Sequence, residues 1–306
     1  MNKKLLIVIV VLLPIAVISF FTTEANFILP KEEEKKIIEE NITVRLKLSS
    51  SNEIVEISLE DYIIGVVAAE MPASFHEEAI KAQAIAARSY AYSKLENILT
   101  DTVSNQAYID TSEMKTKWGT SFEEYYKKIK ECVNKTKDMI VTYNGTPVTT
   151  YYFAMSNGHT EDSELVFQES KPYLKSVEST WDNEKLNNYK VELRLSKSEF
   201  CKKLDIECKE ISISNIKKSD SNRVLTLKVN NNDFKGTDFR TKLGLRSTDF
   251  EISVTNEYVY ITTYGYGHGV GMSQYGANGM ASEGATYEEI IKYYYQNTEI
   301  NNLNNV

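Results

Sequence analysis

Glu70 stands at the end of an apolar run, "IGVVAAE", directly before Met71 and Pro72. Helical spacing sets it on the face shared by Ile63, Val66 and Val67, and a carboxyl group among aliphatic side chains is disfavoured as an anion. The C-terminus of a helix opposes negative charge as well. A carboxylic acid that keeps its proton near neutral pH can give it to a leaving oxygen, which is what a general acid does. The alternative is a buried structural ion pair, for instance with Arg88, and spacing alone leaves both readings open. Glu77 and Glu78 fall at a helix N-terminus, where the dipole favours the charged form, and read as structural.

Three further groups have suitable side chains. Arg88 lies between "AIAA" and "SYAY" and either orients a substrate or snorkels to water, while Lys81 on the same face extends a polar strip or is ordinary helix surface. The segment "GYGHGVGMSQYGA" supplies His268, Ser273, Gln274 and Tyr275 among glycines that let a backbone approach a ligand; a tight turn is the competing account. "FAMSNGHTED" adds Ser156, Asn157, His159 and Thr160 past a strand end, where polar contacts and local turn bonds are both common. The three histidines, His76, His159 and His268, share no metal-binding spacing, so neither metal catalysis nor any cofactor is expected.

The elements that must position these residues are legible in outline. "NITVRLKL" alternates Ile42, Val44, Leu46 and Leu48 with polar residues as a half-buried strand and pairs with "EIVEI". Ser58 and Asp61 mark a helix start, Pro72 ends that helix, and a capping box of Ser74 and Glu77 predicts a second helix at once. "DTVSNQAYID" reads as irregular, and a helix is expected near "SFEEYYKKIKECVNKT". Asn144-Gly145 between two β-rich runs predicts a hairpin. A helix near "SKSEFCKKL", a strand running into the glycine-rich loop, and a helix capped by Thr286 and Glu289 complete the pattern.

Composition narrows the function classes. The 306 residues are 42% apolar with 20 tyrosines, enough for a substantial core, and no internal repeat is visible. "MNKKLLIVIVVLLPIAVISFF" joins Lys3 and Lys4 to a charge-free run from Leu5 to Phe21, so residues 1–21 are expected to anchor the chain in a membrane, with residues 22–40 as a tether. The net charge of −8 disfavours nucleic acid and other polyanions as partners. Cys132, Cys201 and Cys208 form no recognisable framework; Cys201 and Cys208 can bridge if geometry permits, with idle thiols as the plainer expectation.

The segments "LEDYIIGVVAAEMPASFHEEAIKAQAIAARSYA", "SNGHTEDSE", "FRTKLGLRSTDF" and "GYGHGVGMSQYGANGMASEGATYEEIIKYYY" resemble, in that order, the stage II sporulation protein D family from about Leu59 to Tyr295. The resemblance implies a lytic transglycosylase that cuts peptide-free peptidoglycan glycan strands to 1,6-anhydro ends during forespore engulfment. Glu70 is then the catalytic acid and base, and Lys81 and Arg88 match the family's lysine and arginine. With these, Ser156, Asn157, His268, Ser273, Gln274 and Tyr275 are the expected substrate-binding residues. A sporulation amidase or endopeptidase and a membrane scaffold protein of the engulfment complex are the implied partners, and the mother-cell membrane facing the septal wall the implied location, single-pass, with the C-terminal domain outside the cytoplasm. Some members resemble a zinc-bearing form, but "ILTDTVSNQAYID" lacks the histidine and cysteines, so no zinc is expected. The competing classes are a noncatalytic glycan-binding enhancer of a wall amidase and a scaffold of a membrane complex. The expected fold is α+β: a domain at residues 41–306 with paired helices on antiparallel β-sheet structure, two lobes and a central cleft across which the glycine-rich loop faces Glu70, preceded by a transmembrane helix.

Overall fold

The computed structural model describes residues 42–183 and 185–306. β1 (Thr43–Lys47) buries Val44 and Leu46 from alternate positions and pairs antiparallel with β2 (Ile54–Ser58). The Ser58 hydroxyl accepts from the Asp61 N–H at 3.2 Å and opens α1 (Leu59–Glu70), which extended Met71 and then Pro72 terminate. The next helix, α2 (Glu77–Tyr92), does not start with the Ser74–Glu77 box. Phe75 N–H bonds back to the Pro72 carbonyl at 3.0 Å, so Ser74 is used up in a turn and His76 becomes the cap, its Nδ1 accepting from Glu78 N–H at 3.3 Å. Ala79, Ala82, Ala84, Ala86, Ala87 and Ala91 are wholly buried along α2, because small side chains let this central helix lie close to its neighbours.

β3 (Ile98–Thr100) joins β1 in parallel. α3 (Thr111–Trp118), which periodicity does not reveal, starts on a reciprocal cap between Asp110 and Glu113; α4 (Phe122–Lys135) follows. β4 (Met139–Tyr143) and β5 (Thr146–Pro147) form the expected hairpin, with Asn144 and Gly145 at φ 50° and 75°. Then come β6 (Tyr152–Phe153) and the short α5 (Ser163–Phe167). From here the chain builds a second apolar cluster: β7 (Lys190–Ser196), α6 (Lys197–Leu204), β8 (Ile213–Lys218), β9 (Val224–Val229), β10 (Asn232–Lys235), α7 (Gly236–Leu243), β11 (Phe250–Val254) and β12 (Tyr258–Tyr264) surround Phe200, Phe239, Phe250 and Ile261. Cys201 and Cys208 are joined as a disulfide here, with Cα atoms 5.5 Å apart, so they are not idle thiols. β13 (Met272–Ser273), α8 (Gln274–Ser282), α9 (Tyr287–Tyr294) and β14 (Glu299–Asn302) return to the first cluster.

The seam between the clusters is polar. Asn157 Nδ2 donates to the Ser221 carbonyl at 2.7 Å and to Asp249 Oδ2 at 2.9 Å, its Oδ1 accepts from Arg223 at 3.2 Å, and Ser221 donates to buried Glu161 at 2.6 Å.

Two expectations are corrected. The described chain is α+β, but its strands form five small sheets in which β1–β3 and β6–β13 pair in parallel, in place of purely antiparallel structure, and residues 41–306 make one compact unit in place of two lobes. β3 returns to β1 only after the crossover of α1 and α2, and β13 reaches β6 only after the whole second cluster, so both pairings are parallel. The expected transmembrane helix and single-pass membrane location are corrected to what the structure shows: no helix among the described residues is long and apolar enough to cross a membrane. The longest of them, α2 with 16 residues, reaches about 24 Å against a hydrocarbon core of roughly 30 Å. The expected span at 1–21 and the tether at 22–40 lie outside the described residues.

Candidate active site

α1 ends at Glu70, and beside it opens a cavity of about 580 Å³ whose walls include Gln106, Tyr152, Arg240, Tyr266, His268 and Gln274. Burial raises the Glu70 pKa above the usual carboxylate value. Three contacts oppose it without prevailing: Ala107 N–H donates to Oε1 at 2.8 Å, the Gln274 side chain donates as well, and Lys117 adds a nearby positive charge. Lys117 reaches the site by capping α1, its Nζ donating to the Ala68 carbonyl at 2.8 Å and the Ala69 carbonyl at 3.3 Å. Glu70 is thus suited to release a proton and take one back.

The segment that read as irregular is the lid on this carboxyl. Gln106 bridges two phenols, donating to Tyr62 at 3.3 Å and accepting from Tyr152 at 2.7 Å, which fixes Ala107 N–H on Glu70. Burial raises both phenols, so they stay protonated. Tyr108 lies over Gly65 of α1, where a Cβ would come within 2.2 Å of its ring. Amides in a loop without periodicity gave no signal for this role, and Lys117 was hidden in a helix that the apolar pattern does not mark.

The glycine-rich loop lines the same cavity through Tyr266, Gly267 and His268. It folds back on β6 through Gly265 and Gly271, at φ 71° and 77°, and a Cβ at Gly271 would sit 2.0 Å from the Tyr151 carbonyl oxygen. His268 Nδ1 accepts from Val270 N–H at 3.0 Å among the rings of Tyr151, Phe153 and Phe167. Burial, and then the charges of Arg240 and Arg223, push its pKa down to about 3. The imidazole is therefore a neutral wall of the cavity and no proton shuttle; an NMR titration is expected to show no His268 inflection between about pH 5 and 8.

Of the residues expected to bind substrate, Gln274 and His268 share the cavity with Glu70. The others lie elsewhere. Arg88 is fully buried and grips Glu60 with two bonds, at 2.8 and 2.7 Å. Lys81 pairs with Glu78. Asn157 belongs to the polar seam, and Tyr275 packs edge-on against Phe75 at 4.9 Å. Ser273 caps α8 by accepting from Gly276 N–H at 3.2 Å. Ser156 donates to the Ser179 carbonyl at 3.0 Å, beside buried Asp182, which accepts from the Ser179 hydroxyl at 2.8 Å.

Burial raises Asp182 to about 6 from an ordinary 3.8, an effect that its hydroxyl neighbours only partly offset. A raised folded-state value means the ionised form is penalised by the fold, so this stability contribution is complete below the ordinary carboxylate range and lost as pH rises through about 6. At full ionisation the loss is roughly 3 kcal/mol. Asp182→Asn is expected to flatten the fall in melting temperature between about pH 4 and 6, as followed by circular dichroism.

Comparison with known proteins agrees with the motifs. A family model described as SpoIID, Stage II sporulation protein, matches residues 47–143. The chain is 42% identical over 271 residues to Stage II sporulation protein D of Bacillus subtilis (strain 168), covering 85% of this chain and 79% of that protein. It is 39% identical over 279 residues to Stage II sporulation protein D of Bacillus amyloliquefaciens, covering 87% and 81%. A more distant similarity, 27% identity over 291 residues, reaches a Bacillus subtilis protein named Amidase enhancer, covering 77% of this chain and 40% of that one. With such identity over most of both partners, the chain belongs to the stage II sporulation protein D family.

Proposed function

We propose that this protein is a lytic transglycosylase that cuts the bond between N-acetylmuramic acid and N-acetylglucosamine in peptide-free peptidoglycan glycan, leaving 1,6-anhydro ends, during forespore engulfment. The observation that supports this is Glu70, a carboxyl group with a raised pKa at the wall of a cavity large enough for sugar rings. Protonated Glu70 donates to the oxygen of the glycosidic bond as that bond breaks. The resulting carboxylate takes the proton from the muramic 6-hydroxyl, whose oxygen bonds to C1 and closes the anhydro ring. No water is consumed. Hydrolysis by the usual route needs a second carboxyl group, and among the described residues lining the cavity Glu70 is the sole carboxyl. An amidase that strips stem peptides is the partner this substrate requires.

A second reading, a noncatalytic enhancer of a wall amidase, is favoured by the similarity to the protein named Amidase enhancer. Incubating the purified protein with peptide-free glycan and weighing the products separates the two. Ends lighter by one water than those of a hydrolase are expected; unchanged glycan with a faster partner amidase would favour the enhancer.

A further inference from the structure

The cavity holds a feature that the cleavage chemistry leaves unused. Arg240, from α7, is the sole cation among its described lining residues, in a chain whose net charge is −8. Its Nε donates to the Leu245 carbonyl at 3.2 Å, which fixes the plane of the guanidinium, while among the described residues its two terminal nitrogens have no hydrogen-bond partner and the side chain has no ion pair. A guanidinium set in a sheltered wall with its fork open fits a carboxylate by two parallel bonds. Tyr266 lines the same cavity, close enough to act on the Arg240 charge, and is 44% exposed although large and aromatic. Arg246 covers one face of that ring, with its guanidinium carbon 3.9 Å from the centroid, so the phenol is held as a flat platform.

We propose that Arg240 and Tyr266 form a subsite for an acidic sugar, with Tyr266 stacking on the ring and Arg240 pairing with the lactyl carboxylate of N-acetylmuramic acid. The assignment rests on the cleavage reading above for the identity of the sugar. It gives a physical basis for selectivity: the lactyl carboxyl is an anion when no stem peptide is attached and a neutral amide when one is, so Arg240 reads the absence of the peptide.

The test uses the full chain and peptide-free glycan in two forms, one with free lactyl carboxylates and one with those groups converted to primary amides. The wild type is expected to prefer the free acid by about tenfold to a hundredfold in kcat/KM, mostly through KM, as removal of a charged hydrogen-bond partner predicts. Arg240→Gln is expected to treat both forms alike, and Arg240→Lys to restore part of the preference. Calorimetric binding of both forms to Glu70→Gln protein, with and without Arg240→Gln, reads the same preference without turnover. A wild type indifferent to amidation, or an Arg240→Gln protein that still discriminates, overturns the subsite. A binding preference that depends on Arg240 in a protein that cleaves neither form keeps the subsite and removes the transglycosylase reading.

Discussion

Glu70→Gln is expected to lower the rate of anhydro-end formation by roughly 10²–10⁴-fold while raising the melting temperature at neutral pH. The two effects have one origin. Burial raises the pKa of this carboxyl, and its position at the end of α1 works in the same direction. Its contribution to stability is therefore complete below the ordinary carboxylate value and lost as pH rises through the raised one. Glutamine mimics the protonated acid in shape and keeps an oxygen for the Ala107 N–H. The stability gain should vanish near pH ~4, where wild-type Glu70 is itself protonated. Mass spectrometry of the glycan products and thermal scans at both pH values check the pair. A variant that stays active and melts lower at neutral pH would make Glu70 a structural acid.

Arg88→Ala is expected to destabilise the protein by about 3 kcal/mol, the lower end of the cost of breaking a buried ion pair, because the partner left behind, Glu60, keeps 23% of its side chain exposed. Arg88 ties four elements together, bonding Glu60 of α1 twice, the Met139 carbonyl of β4 at 3.1 Å and the Val133 carbonyl of α4 at 3.4 Å. It cannot also hold substrate at Glu70. Glu60 precedes Glu70 by ten residues on one helix, which places the two acids about 15 Å apart along its axis. Urea unfolding measures the loss, and Arg88→Met combined with Glu60→Gln should recover much of it, since no buried charge is then left over. Full stability with a raised KM for glycan would return Arg88 to the binding site.

What the sequence made legible was local. The cap at Ser58, the stop at Pro72, the Asn144-Gly145 hairpin and the reciprocal cap of Thr286 and Glu289 each depend on a few neighbouring residues, and each is present. The same local information assigned Glu70 its raised pKa, because the apolar face and the helix end are both written in one segment. Long-range facts were not legible. Spacing suggested an ion pair for Arg88 but named the wrong acid, since the sequence does not say at which end of α1 the second helix crosses. α8 was hidden by Gly276 and Gly279, which read as loop residues. In the fold a Cβ at Gly276 would lie 2.2 Å from the Tyr294 hydroxyl, and one at Gly279 would lie 2.4 Å from Trp181. Those glycines answer to neighbours roughly a hundred or fewer positions away in the chain, and to no local turn. Arg240 and Gln106 enter the cavity from segments without any periodic signature.

Gly265 and Gly271 have a practical consequence for genetics. Neither bears a functional group, yet a side chain at either must fit a backbone conformation L residues rarely adopt and displace a carbonyl of β6 or its flanks. If Glu70 acts as proposed, a saturation survey scored only by spore yield would rank them beside it. Scored by the amount of intact protein in the same cells, the two kinds of lesion should separate: glycine replacements are expected to deplete the polypeptide, and loss of the proposed acid to leave it abundant.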